Sequence, residues 1–107
     1  MGRKGDKMSA DAPKEADEVL RILSPLGDVS SRKMFGGFGI FEGGKMFGII
    51  DSAGGLFLKA DETNLSIFES AGSEKHGRMP YYSVPPDVRG SNKKLREWAE
   101  TSIDIVH

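Results

Sequence analysis

The chain contains no cysteine, which excludes disulfide staples, thiolate nucleophiles and Cys-ligated zinc or iron–sulfur centres. Histidine is scarce, with two residues, His76 and His107. No His-x-x-x-His pair or tight carboxylate cluster stands ready to hold a metal, so no metal and no cofactor are expected. No apolar run approaches the roughly 18–20 residues that span a bilayer, and no signal-peptide core appears. The expectation is a soluble, cytoplasmic protein with no membrane contact. An excess of one charge is missing too: 15 Lys and Arg stand against 16 Asp and Glu, a net charge of −1. Nucleic-acid binders draw much of their affinity from basic surface that neutralises phosphates. Direct nucleic-acid binding therefore stays open only through a local patch or a partner.

Glycine is what the chain has in excess, 14 of 107 residues, about twice the usual share of roughly 7%. The length fits one domain. It is read as residues 11–107, behind a polar, disordered N-terminal lead over 1–10. Ala16, Val19, Leu20 and Leu23 recur at helical spacing and predict a first helix over Pro13–Leu23, stopped by Ser24-Pro25-Leu26-Gly27. The period then changes. Val29 to Phe35 reads as extended, and Phe38–Glu42 and Lys45–Ile50 flank Gly43-Gly44, a strong hairpin signal. A second turn, Asp51–Gly55, leads to a strand over Leu56–Ala60.

Asp61 predicts the cap of a helix over Glu62–Ala71, with Leu65 and Phe68 facing inward and Gly72 beyond its end. Arg78–Val84 reads as a further strand, placed at an edge or start by Pro80 and ended by Pro85-Pro86. Ser91 caps a last helix in which Leu95, Trp98, Ala99, Ser102, Ile103 and Val106 keep helical spacing. The order α-β-β-β(-β)-α-β-α argues an α+β, two-layer fold, with an antiparallel sheet and helices packed on one face.

An enzyme finds little material here. His107 is the last residue, and His76, between Lys75 and Gly77, reads as a loop histidine rather than a general base. The glycine-rich centre fits neither a dinucleotide fingerprint nor a P-loop, because strands rather than helices follow it. Lys93, Lys94 and Arg96 form a local basic patch on the last helix, but Glu97 and Glu100 stand four residues after Lys93 and Arg96, the pattern of a solvated face. Arg32-Lys33, beside Met34-Phe35, is a pair of cations suited to an anion or a partner carboxylate. Trp98 reads as core. Tyr81 and Tyr82 point to opposite faces of one strand, so one is expected buried and the other exposed as an interface residue.

Taken in order, these features resemble a known family. Arg32-x-Met34-Phe35-Gly36-Gly37, Gly39-Ile40-Phe41, Met46-Phe47-Gly48-Ile49-Ile50, Leu56-x-Leu58-Lys59, Phe68-x-x-x-Gly72, Met79-x-Tyr81-Tyr82 and Pro85 are similar to the TfoX/Sxy N-terminal domain, over about Leu20 to Ala99. The resemblance implies a curved antiparallel sheet in two layers, like secretion-chaperone-like domains that often dimerise. It also implies a role in transcriptional regulation beside another regulator. Competence regulators of this kind carry a second, C-terminal domain, and none follows His107 here, so a stand-alone N-terminal domain or a fragment is expected.

Within the motif, Met34, Phe35, Gly36 and Gly37 are explained by the fold, whereas packing explains Arg32 and Lys59 least. The binding candidates are Arg32, Lys33, Lys59, Tyr81 and Tyr82. The leading expectation is a small non-enzymatic regulatory or adaptor domain that contacts a protein partner, a transcriptional regulator, through an exposed sheet edge and an exposed tyrosine. A homodimer is a second expected partner. The alternative is a small anionic ligand held between Arg32 and Lys59 in a concave sheet.

Overall fold

Gly43 and Gly44 adopt φ of 59° and 85°, the left-handed pair that a two-residue hairpin turn requires. They join β2 (Gly37–Glu42) to β3 (Lys45–Ile50), and the sheet grows outward from this hairpin. The computed structural model describes residues 4–34 and 36–107, with side chains from residue 12 onward. The remaining strands are β1 (Val29–Met34), β4 (Leu56–Lys59) and β5 (Tyr81–Ser83). All five pair antiparallel in the order β1-β2-β3-β4-β5. Phe35, expected to end β1, lies outside the described residues.

Among the described residues four helices complete the fold: α1 (Lys4–Leu23), α2 (Leu65–Ser70), α3 (Pro86–Arg89) and α4 (Asn92–Val106). The sequence predicts the order of elements correctly, with one short helix, α3, added before the last. The protein is an α+β fold with an open antiparallel sheet. A short 3₁₀ turn, Ser24–Leu26, follows α1 where Pro25 and Gly27 end the helical pattern. The backbone of α1 begins at Lys4 rather than at Pro13, which sits inside the helix. Residues 1–3 of the expected lead lie outside the described residues.

The two long helices bury one stripe each: Ala12, Ala16, Val19 and Leu23 from α1, and Leu95, Ala99 and Ile103 from α4. Against them pack Ile40, Ile50, Leu56 and Leu58 of the sheet, in a single core that also holds Phe47 and Phe68. Phe47 reaches this face because the β2–β3 register shifts at Ile40/Phe41, leaving it as an extra residue on β3. Such a bulge turns a side chain that alternation would send outward. Gly37 is required by close approach, since a Cβ there would stand 2.0 Å from the Ile50 carbonyl oxygen.

Two local readings are corrected. The Asp61 carboxylate accepts the Thr63 amide at 2.7 Å, and the Leu65 amide bonds the Asp61 carbonyl at 2.9 Å. Asp61 thus closes a turn, and α2 starts at Leu65 instead of Glu62. The strand expected from Arg78 is reduced to Tyr81–Ser83, because the Met79 amide bonds back to the His76 carbonyl in a turn and Pro80 has no N–H to give a ladder. Pro85-Pro86 ends the strand as expected, β5 closing at Ser83, and Pro86 also opens α3 in a first-turn position whose missing N–H is harmless.

Candidate functional site

Sheet order leaves two edges, and they differ. On β5 the outer side is closed by the chain itself: the His76 amide donates to the Tyr81 carbonyl at 2.8 Å and the Ser83 amide to the Glu74 carbonyl at 2.9 Å. On β1 no residue from Val29 to Met34 makes a hydrogen bond to the rest of the described chain beyond its ladder with β2. Half of its backbone donors and acceptors therefore face outward along six residues. This strand contains neither proline nor a bulge, two of the devices that blunt an edge.

Arg32 and Lys33 stand on this edge, both exposed. The register places Arg32 beside Gly39 and Lys33 beside Phe38, hence on opposite faces of the sheet. Arg32 lies on the face away from the helices, its guanidinium carbon 5.1 Å from the centre of the Phe41 ring. Neither cation forms an ion pair among the described residues. Beside Arg32, the space above Gly39 is lined by Met34, Phe41 and Met46. The site is thus an open strand edge, two free cations and an adjoining methionine- and phenylalanine-lined surface. Gly36, at φ 76°, turns the chain from β1 toward β2.

The other candidates lie elsewhere. Lys59 shares the helix-free face with Arg32 but sits on β4, three strand spacings or about 14 Å away across the sheet. Its ammonium lies 5.4 Å from the Tyr81 ring centre. A small anion does not bridge Arg32 and Lys59 at that separation. Tyr81 is buried and donates its hydroxyl to the Met46 carbonyl at 3.2 Å; burial raises its pKa above the usual tyrosine value. Tyr82 is half-buried on the helix side with its ring 5.8 Å from Phe68, so the expected pairing of one buried and one exposed tyrosine does not hold. Neither tyrosine is an exposed contact.

Two of the three cations of the α4 basic patch are engaged within the fold, and Lys93 is exposed. Arg96 donates to the Ile22 carbonyl at 3.2 Å, and Lys94 lies 3.9 Å from Asp87. His76 packs edge-on against Phe57 at 4.7 Å. His107 reaches Glu42 at 2.6 Å. Trp98 is half-buried, 5.0 Å from Phe68, and lines a cleft of about 240 Å³ with Ile67, Asn64 and Thr101. Sequence reasoning missed this cleft, and it missed the cluster in which Arg89 of α3 holds Glu15 at 2.5 Å and Glu18 at 2.8 Å. Both depend on which helix faces meet, and no local spacing carries that information. Among the described residues no helix is long and apolar enough to cross a membrane.

An α+β domain whose five-stranded open antiparallel sheet has one edge uncovered among the described residues is the class that fold and site define. The model of one family, the TfoX N-terminal domain, matches residues 21–105. The chain belongs to this family, as the motif from Arg32 to Gly37 suggests. No curated protein matches it.

Proposed function

We propose that the protein is a non-enzymatic regulatory or adaptor domain of the TfoX N-terminal type, acting in the cytoplasm on transcription through contact with a protein partner. One observation carries the reading: β1 presents six residues of backbone whose outer side has no partner among the described residues, and it carries two exposed cations. Pairing a strand onto such an edge supplies main-chain hydrogen bonds for affinity and side-chain positions for choice. Membership of a family of regulatory type supports the same reading. The anionic-ligand alternative lacks a cradle, because its two cations stand strands apart. The test is affinity capture of the tagged chain from its native lysate, with and without nuclease, read by mass spectrometry. A transcription factor or polymerase subunit retained after nuclease is expected. Recovery lost with nuclease, or return of the chain alone, overturns the reading.

A further inference from the structure

We infer that the β1 edge takes an acidic extended segment of its partner as a sixth strand, with two successive carboxylates set against Arg32 and Lys33. This rests on the adaptor reading above and adds the chemistry of the partner. Three observations lead to it. Among the described residues nothing pairs with the edge over Val29–Met34. Its only charged side chains are adjacent in sequence and both positive, so they project to opposite faces of the sheet. An added strand also alternates faces, so only two neighbouring acids meet both cations at once.

The surroundings define the rest of the segment. Stacking over Phe41 holds the Arg32 guanidinium on the helix-free face while leaving its donor fork open for a carboxylate. Two residues further along the same face comes Met34, beside the apolar surface over Gly39. At the other end stands half-buried Val29, and Ser30 and Ser31 lie between. The fitting segment is apolar at both ends, acidic at two adjacent positions and small between. A second copy of this chain is the wrong occupant for this edge. Two β1 strands side by side would gather four cations into one short ribbon, and like charges across a ladder repel.

The experiment is selection of a random decapeptide display library on the intact chain, followed by backbone amide shift mapping with the enriched peptides. Enrichment of adjacent Asp or Glu residues between apolar positions, with shifts confined to β1 and β2, is the expected result. The double charge reversal R32E/K33E should weaken such peptides at least tenfold, and peptides with Lys in place of the acids should recover on that variant. Enrichment of basic or purely apolar peptides overturns the proposal. So do shifts that centre on the cleft around Ile67 and Trp98. Lysate capture that survives R32E/K33E also overturns it while leaving the adaptor reading in place; failure of wild-type capture removes the adaptor reading itself.

Discussion

The Ser102 hydroxyl, on α4, donates to the Lys59 carbonyl at the end of β4 at 2.8 Å, fixing the last helix to the sheet. Asn64 donates to the same oxygen at 3.2 Å, and its own amide oxygen accepts the Asp61 amide at 2.9 Å. Both side chains are buried. The anchor is the main-chain oxygen of Lys59, while the Lys59 side chain itself lies over the Tyr81 ring, away from the open edge. Ser102→Ala is expected to destabilise by about 1 kcal/mol, since Asn64 still satisfies the carbonyl. The double variant with Asn64→Ala should lose more than the two singles together, because the buried oxygen is then left bare. Urea unfolding of the four proteins measures this, and strict additivity would contradict the shared-acceptor account.

Arg89 joins α3 to α1 through Glu15 and Glu18, in a partly buried cluster that holds the guanidinium charged, its pKa raised chiefly by the hydrogen bond to Glu15. Removing the cation leaves two carboxylates three residues apart on one helix face. Arg89→Gln should lower stability by about 1–2 kcal/mol. Adding Glu15→Gln should restore part of it by removing the stranded charge. A double variant less stable than Arg89→Gln alone would show that charge balance is not what the cluster supplies.

Tyr81 and Asp61 make opposite predictions for pH. Burial raises the Tyr81 pKa above its usual value. The folded state therefore keeps its proton longer than the unfolded chain, and stability is full below about pH 10 and falls as pH rises toward the folded value. Tyrosinate absorbance should show a late-titrating fraction that disappears in Tyr81→Phe. For Asp61, hydrogen bonds from the Thr63 side chain and backbone lower the pKa. Its contribution is present above about pH 4 and lost as pH falls through the depressed folded value. Asp61→Asn should flatten that acid limb.

Gly37 and Gly44 separate two reasons for glycine. At Gly37 a Cβ meets the backbone oxygen of Ile50 at 2.0 Å, a clash with main chain rather than with a flexible side chain. Gly44 has φ 85° but open space around it. Gly37→Ala should cost more than about 3 kcal/mol or prevent folding, and Gly44→Ala about 1 kcal/mol from its left-handed backbone. Thermal melts compare them directly.

Much of the fold is legible in the sequence because its signals are local. Gly43-Gly44 marks the hairpin. Asp51 marks the next turn, its carboxylate accepting the Ala53 and Gly55 amides at 3.1 and 2.8 Å. Ser91 marks the start of α4 by accepting the Lys94 amide. What stays hidden depends on tertiary placement. Asn64 takes the buried role at the α2 start because Lys59 and Asp61 come to it. Tyr82 is covered because Phe68 folds over it. The separation of Arg32 from Lys59 follows from the order of strands, which the two residues themselves do not encode. Arg32 and Lys33 are readable as unusual, but the openness of their strand appears only once Glu74–His76 is seen to close the opposite edge.

R32E/K33E should leave the fold intact. Both side chains are exposed, and the reversal removes only the stacking of the Arg32 guanidinium on the Phe41 ring, so a change within about 1 kcal/mol is expected. Chemical unfolding of the variant checks this, and a much larger drop in stability would mean that the cations serve the sheet rather than a partner.

The most direct measurement of the central claim is amide hydrogen exchange of the intact chain, free and bound to the partner it captures. The account predicts slowed exchange concentrated on Val29–Met34, by at least tenfold, with the cleft around Trp98 unchanged. Protection elsewhere, with the β1 amides exchanging as in the free protein, would contradict it.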